Sequence, residues 1–550
     1  MKDINEVAQD LGIPLPLVSP FGNYAAKISL EAIEKPKRRG KVILVTAMTP
    51  TPHGEGKTVT AIGVSMALNK LGHRAVAIIR QPSLGPLFGV KGGATGGGKS
   101  TVEPSLEINM RFTGDIDAIS ASHNLLSAMI DNHIFHGNPL RIDPPSVIWK
   151  RTVDMEDRAL RKIKVGLSEE KHLTPREDGY VITAASEVMA TFCLAKDYPD
   201  LTARLGKIIV GSNENDEPVT AGDLKASGAM CAILRDAFLP NLAQTCEGTP
   251  ALIHGGPFGN LATGTSSLVS INLGLTLGDF CVIEAGFGSD LGGEKFIDIV
   301  SRVGEFNVNA AIVVASIRAI KYHSKSASGA ISVSSTGSGT LLVSGENLVA
   351  GIENLEKHME NMKSFGIAPI VAINKFPEDT EEDINFVKQA CKNLNVECAV
   401  STTFEDGSNG AIELAELAID AASRGDVATP IYSLHDSTEE KILEIITTIY
   451  GGDDSEYTPA SLSNIEHLRK YGFDSLPICI AKTSSSLSDD PEKLGRPRGF
   501  KCKVDEVRIA AGAGFNVVHM GNIMTMPGLP LHPAAENMYV TPDGIVVGVH

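Results

Sequence analysis

The stretch TAMTPTPHGEGKTVTAIG, residues 46 to 63, carries the residue types best suited to work on a phosphate. Gly56-Lys57-Thr58 reads as the tail of a phosphate-binding loop. Such a loop offers backbone N–H groups to phosphate oxygens, a lysine that reaches the β- and γ-phosphates, and a hydroxyl that ligates Mg²⁺. Nucleotide contacts are therefore expected from Thr51, Pro52, His53, Gly54, Glu55, Gly56, Lys57 and Thr58, with Thr58 as the metal ligand. One feature departs from the usual G-x-x-x-x-G-K-[ST] pattern: Thr51 stands where the first glycine belongs, and prolines at 50 and 52 suggest a stiff entry. A second segment, GATGGGKS at 93 to 100, satisfies the pattern letter for letter.

The flanking elements discriminate between the two. A phosphate loop works because a strand delivers it to a helix N-terminus, where orphan N–H groups and the helix dipole favour an anion. KVILVTAM (41 to 48) is a continuous β-branched run, as in a strand buried on both faces. Residues 58 to 71 then place apolar side chains at 59, 62 and 66, a helical spacing that stops at Gly72. HRAVAIIR (73 to 80) is a second buried strand. The imperfect motif thus sits in a strand–loop–helix–strand unit. GATGGGKS has no strand before it and meets Pro104 soon after, so it reads as a glycine loop closing over a ligand.

Further buried-strand runs occur at GKIIVGS (206 to 212), DFCVIEAGFG (279 to 288), NAAIVVASIR (309 to 318) and IAPIVAINKF (367 to 376). Their alternation with helical segments predicts a phosphate-loop-type, doubly wound α/β fold with a mostly parallel sheet. A Ser/Gly-rich stretch, KSASGAISVSSTGSG (325 to 339), reads as a mobile loop or domain boundary, and GENLVAGIENLEKHMENMKSFG after it as a long helix. The expected division is a nucleotide-binding domain over 1 to 345, an α/β domain over 346 to 450, and a C-terminal α+β domain over 451 to 550.

The 550 residues carry a net charge of −17, which disfavours nucleic acid or an anionic membrane as partner, because both are gripped by surplus Lys and Arg. The N-terminus MKDINEVAQDLG lacks the basic and apolar regions of a signal peptide, and no apolar run is long enough to span a bilayer. Eight scattered cysteines without a C-x-x-C fit reduced thiols in a cytoplasmic protein.

Beyond Arg80 come RQPSLGPLFGVKGGATGGG (80 to 98), FTGDIDAI (112 to 119), TAGDLKASGAM (220 to 230), HGGPFGN (254 to 260), EAGFGSDLGGEKF (284 to 296), NKFPEDTEED (374 to 383) and MTMPGLPLHPAAEN (524 to 537). In this order they closely resemble the formate–tetrahydrofolate ligase family, from about residue 15 to the end. The resemblance implies ATP-dependent ligation of formate to tetrahydrofolate through formyl phosphate. It also implies Mg²⁺ with ATP, activation by K⁺ or NH₄⁺, and a homotetramer.

On this reading Lys57 and Arg80 are the catalytic pair. Arg80 ends a strand at the carboxyl edge, where α/β sheets bind ligands, and its planar fork suits phosphate or formate. Asp115, Arg158 and His254 are candidate ligand contacts. Phe376 matches the aromatic that stacks on the pterin. Gln81 stands where many relatives carry glutamate, and Lys99 where many carry tyrosine. The family's second aromatic, often a tryptophan near residue 402, is missing; Phe404 is the nearest substitute and Trp149 the chain's only tryptophan. Two other readings remain open on these residues. One is a phosphate-loop switch or partitioning ATPase, although Asn374-Lys375 is followed by Phe376-Pro377 and lacks the aspartate of a guanine reader. The other is a related ligase acting on a modified pterin. Polyglutamylated folate would also require a local Lys/Arg patch.

Overall fold

The computed structural model describes residues 1–33, 40–89, 92–168, 174–324, 348–521 and 523–549. Its centre is a 12-stranded sheet. In chain order its strands are β1 (Val18–Phe21), β2 (Ala25–Ile28), β3 (Lys41–Ala47), β4 (Ala75–Ile79), β5 (Gly96–Gly97), β6 (Ser100–Glu103), β7 (Asn241–Thr245), β8 (Pro250–Ile253), β9 (Phe280–Glu284), β10 (Ala310–Ala315), β11 (Pro369–Asn374) and β12 (Glu397–Ser401). Across the sheet the order is β1-β2-β7-β8-β4-β9-β3-β10-β11-β12, with the β5–β6 hairpin attached through β6 to β7. From β8 to β12 every neighbour is parallel, and the β1, β2 and β7 side is antiparallel. This is the expected α/β architecture.

The parallel strands are continuous apolar runs because helices cover both faces. Ile43, Val45 and Val282 sit in one buried cluster with helix Ile412–Ser423, while Val42, Leu44 and Ile283 face another that includes helix Val349–Ser364. The helix Lys57–Lys70 is apolar nearly all round and buried from Thr60 to Leu68. Its second side is roofed by β6 and by residues 402–411: Gly63 touches Thr403 and Ser100, and the Ser100 hydroxyl donates to the Thr403 carbonyl at 2.7 Å.

Three features refine the sequence reading. Strand Ile209–Ser212 leaves the main sheet and pairs antiparallel with Pro218–Thr220, because a polar turn, Asn213 to Glu217, folds it back on itself. Strands β11 and β12, in the segment set apart as 346 to 450, extend the same sheet as β3. The C-terminal segment adds a small three-stranded sheet, Ile478–Ala481, Phe515–His519 and Glu506–Ala510, whose apolar side chains share the core beneath the main sheet. The Ser/Gly-rich stretch 325 to 339 and the boundary at 345 lie outside the described residues.

Candidate active site

Parallel strands deliver their carboxyl ends to one edge, and there the chemistry-bearing residues converge. Arg80 directly follows β4, Glu284 ends β9, Thr51 lies beyond β3, Ser316 follows β10, and Asn374 ends β11. Because β9, β3, β10 and β11 are adjacent, the loop after β3 is flanked by wall residues on both sides.

The loop itself is organised by Glu55. Its buried carboxylate accepts the Thr51 backbone N–H at 2.7 Å and also the Ser316 hydroxyl, while its carbonyl accepts from the Asn374 amide at 3.0 Å. The missing first glycine is thereby accounted for. A carboxylate inside the loop closes it onto Thr51 N, and glycine's conformational freedom is needed elsewhere. Gly56 has φ +79°, and a side chain there would run into Asn374, so that position must be glycine. The Gly54 carbonyl accepts from Arg318 at 2.7 Å. Pro52 and His53 form the exposed outer tip.

Lys57 is the first residue of the helix and Thr58 the second, so both stand at the positive end of the helix dipole. Burial pushes the Lys57 ammonium below its ordinary pKa; Glu284 and Glu55 oppose this, and Arg80 adds to it. Among the described residues no hydrogen bond or ion pair holds that ammonium. A partly dehydrated cation without a direct partner is suited to meeting an anion.

Glu284 links the loop to Arg80. Its carboxylate accepts the Thr58 hydroxyl at 3.0 Å and faces the Arg80 guanidinium at 3.5 Å. The pair is largely sheltered, with side-chain exposures of 26 % for Arg80 and 7 % for Glu284. Among the described residues Arg80 Nε and Gln81 Oε1 are buried without a partner, so the strand end retains unspent donor and acceptor capacity. A Cβ on Gly286 would come within 3.2 Å of the Arg80 guanidinium, which lies over that glycine. Its neighbour Phe287 holds φ +61°, a strained value for a bulky residue. A hydroxyl beside a carboxylate, as in Thr58 and Glu284, supplies the hard oxygen donors that a nucleotide-borne Mg²⁺ takes. Among the described residues no group of three or more His, Cys, Asp or Glu side chains could hold a metal ion by itself.

Phe376 joins this arrangement through Arg318. The Arg318 guanidinium stands 4.6 Å from the ring centroid while also donating to Gly54, so one face of Phe376 is backed by a cation and tied to the loop after β3. Phe404 follows β12, the strand beside the β11 that precedes Phe376. Its ring and carbonyl pack on Gly97 and Gly98, its carbonyl accepts from Lys99 N at 2.8 Å, and it remains 55 % exposed.

Three expected contacts are placed differently. Asp115 is buried in an ion pair with Lys27 at 2.6 Å and accepts from Asn241 at 2.7 Å. His254 follows β8, so its backbone neighbours Arg80, but its buried ring packs against Phe192 and engages Ser267 at 2.6 Å and the Ala237 carbonyl at 2.8 Å. The carbonyl must accept, so Nε2 carries the proton and Nδ1 accepts from Ser267. Burial lowers the His254 pKa to about 4, with Lys27 contributing. Both side chains therefore have their hydrogen-bonding capacity engaged within the fold. Arg158 donates to the Leu529 carbonyl and packs on Gly528, anchoring the C-terminal segment.

The pattern-perfect GATGGGKS forms the β5–β6 hairpin, with Gly97 opposite Ser100, instead of a strand-to-helix loop. Asn109 accepts Ala94 N at 3.0 Å and donates to Thr95 at 3.0 Å, pinning its start. The residues that sequence reasoning passed over are Glu284, Ser316, Arg318 and Asn374. Glu284 opens a quoted motif, and its place at a strand's carboxyl end was the available signal; Ser316, Arg318 and Asn374 likewise end or follow strands.

Compared with known families, residues 1–550 match the formate–tetrahydrofolate ligase family. A protein named formate–tetrahydrofolate ligase from Caldicellulosiruptor saccharolyticus is 49 % identical over 553 residues, covering 100 % of this chain and 98 % of that protein. One of the same name from Thermotoga petrophila is 48 % identical over 554 residues, covering all of both.

Proposed function

The chain belongs to the formate–tetrahydrofolate ligase family and is an ATP-dependent ligase, and on that premise we propose how its residues divide the work. The reaction joins formate to tetrahydrofolate, giving 10-formyltetrahydrofolate, ADP and phosphate. The observation that carries the assignment is the Lys57 ammonium at a helix N-terminus, without a partner among the described residues, with Glu284 one strand and Arg80 two strands along the sheet.

Formate is a poor acyl donor because hydroxide would have to leave. In the proposed first step a formate oxygen attacks the γ-phosphorus, the bond to the β-phosphate oxygen breaks, and ADP leaves with formyl phosphate behind. In the second step the folate nitrogen attacks the formyl carbon, phosphate departs, and the nitrogen loses its proton. The loop amides and Lys57 bind the β- and γ-phosphates. Arg80 neutralises the oxygens of formate and the transferring phosphoryl group, and its buried Nε supplies a donor not used by the protein. Thr58 and Glu284 would hold Mg²⁺, which supplies charge neutralisation at the phosphates. The open face of Phe376 receives the pterin. Stimulation by K⁺ or NH₄⁺, a homotetramer and a cytoplasmic setting accompany this reading, and the described residues include no helix long and apolar enough to cross a membrane.

The test is formation of formylated tetrahydrofolate with ADP release, omitting formate, tetrahydrofolate or ATP in turn, alongside Lys57→Ala. Product that needs all three substrates and vanishes in the variant supports the proposal. ATP hydrolysis indifferent to formate and folate would overturn it in favour of a switch. Formate-dependent activity on another pterin alone would reassign the substrate.

A further inference from the structure

Away from the phosphate loop, a cleft of about 300 Å³ opens between Lys150, Arg161 and Tyr180 on one side and the C-terminal three-stranded sheet on the other. Lys150, Arg161, Arg508, His519, Asp505 and Glu506 line it. The two acids are already compensated. Asp505 pairs with Lys503 at 2.7 Å and accepts Gly521 N at 2.9 Å, and Glu506 pairs with Arg508 at 2.8 Å. Lys150 and Arg161 are surplus. Among the described residues no carboxylate lies within ion-pair distance of either, and Arg161 spends only its Nε, on the Met526 carbonyl at 2.9 Å. In a chain of net charge −17 this is a local inversion of sign.

Burial lowers the Lys150 pKa and Arg508 lowers it further, against Asp178 and Glu506, which raise it. Burial, then Arg508, brings His519 down to about 4 against the opposing pull of Glu506 and Asp505, and among the described residues its ring makes no hydrogen bond. Like charges held together at a half-buried surface repel, so the arrangement is stabilised by an anion entering between them. We propose that this cleft binds a compact anion of two or more negative charges, gripped by Lys150 and Arg161, with His519 at its wall. The volume suits a phosphate ester, a diphosphate or a short run of carboxylates. One wall is Gly521 and residues 523 to 526; Thr525 accepts Ile182 N at 2.9 Å, and Ile182 packs on Gly85 of the segment after Arg80. Occupancy therefore braces a wall two contacts from the catalytic strand end.

The test uses the full-length chain at low ionic strength, where surface electrostatics are least screened. Inorganic pyrophosphate and a penta-γ-glutamate peptide are titrated separately by calorimetry, with the His519 ring followed by NMR. Saturable binding of either, with the His519 pKa moving up from about 4 and affinity falling at least tenfold in Lys150→Ala and in Arg161→Ala, is the expected result. Absence of saturable binding up to about 10 mM, weaker than about −2.7 kcal/mol, overturns the proposal. So does binding that both variants and His519 ignore. A second arm separates the sources and depends on the ligase reading, which the binding arm does not. If pentaglutamyl tetrahydrofolate has a lower KM than the monoglutamyl form and Lys150→Ala removes the difference, the anion is the substrate's tail. If the difference is absent or survives while the free probe binds, the cleft serves a separate anion.

Discussion

The Glu55 carboxylate accepts the Thr51 backbone N–H at 2.7 Å, closing the loop after β3 from within by a side chain. Removing that acceptor leaves a buried N–H unsatisfied, an effect of about 1–3 kcal/mol. Glu55→Ala is expected to raise the KM for ATP by roughly tenfold or more, whereas Glu55→Gln retains one acceptor oxygen and falls between. Steady-state kinetics at saturating formate and folate decide it, and an unchanged KM in Glu55→Ala would sink the idea.

Glu284 stands between Thr58 and Arg80. Glu284→Gln keeps the shape and removes the charge, so kcat should fall by about 10²–10³-fold, the scale of losing one preorganised electrostatic partner. The Mg²⁺ concentration for half-maximal rate should rise as well. A variant with normal kcat and normal Mg²⁺ dependence would remove Glu284 from the site.

One face of Phe376 is occupied by Arg318. Phe376→Ala is therefore expected to raise the KM for tetrahydrofolate about tenfold, from the loss of roughly 1 kcal/mol or more of ring contact, while the KM for ATP moves little. Arg318→Gln should raise both, because the same guanidinium holds Gly54. Separate KM measurements for the two substrates distinguish the variants.

Asp115 and Lys27 form a buried ion pair. Asp115→Ala leaves an uncompensated buried ammonium, and breaking such a pair destabilises by about 3–5 kcal/mol. Thermal unfolding should show a lower Tm, with near-normal KM values in whatever enzyme remains folded. A large KM change at unaltered Tm would instead place Asp115 among the ligand contacts.

Glu187 gives a pH signature. Burial raises its pKa from 4.5 to about 7, although it accepts Gly512 N at 2.8 Å. The folded state then binds more protons than the unfolded state between these values, so stability is full below about pH 4.5, falls as pH rises, and levels off above about 7. Urea melts of wild type and Glu187→Gln should diverge by about 1–3 kcal/mol across that window. Parallel pH profiles would count against a raised carboxyl.

Much of this was legible from residue order. β3, the helix Lys57–Lys70 and β4 follow from a β-branched run, a helical spacing and a terminating glycine, and of the two glycine motifs the one set between strand and helix was identifiable from its flanks. Lys57, Thr58 and Arg80 stand at one strand edge as their positions implied. The partners of the loop were not legible, because Ser316 and Asn374 lie 261 and 319 residues from Glu55 and only sheet order brings them near. The partners of His254 and Asp115 were not legible, because a polar residue in a distinctive motif looks the same whether it faces a ligand or satisfies a buried partner. Strand Ile209–Ser212 misled because periodicity does not reveal which partner a strand takes.

The same remote stitching has a consequence during synthesis. β3 is made early, yet its sheet neighbours β9 and β10 and the side chains that shape its loop come from far downstream. At about 5–20 residues per second, several tens of seconds of translation can separate Lys57 from Asn374. A nascent chain shorter than that has the motif without its binding geometry. Nucleotide retention by ribosome-bound chains of increasing length should therefore appear abruptly, once Asn374 has cleared the exit tunnel, making ATP a sensor of completed assembly.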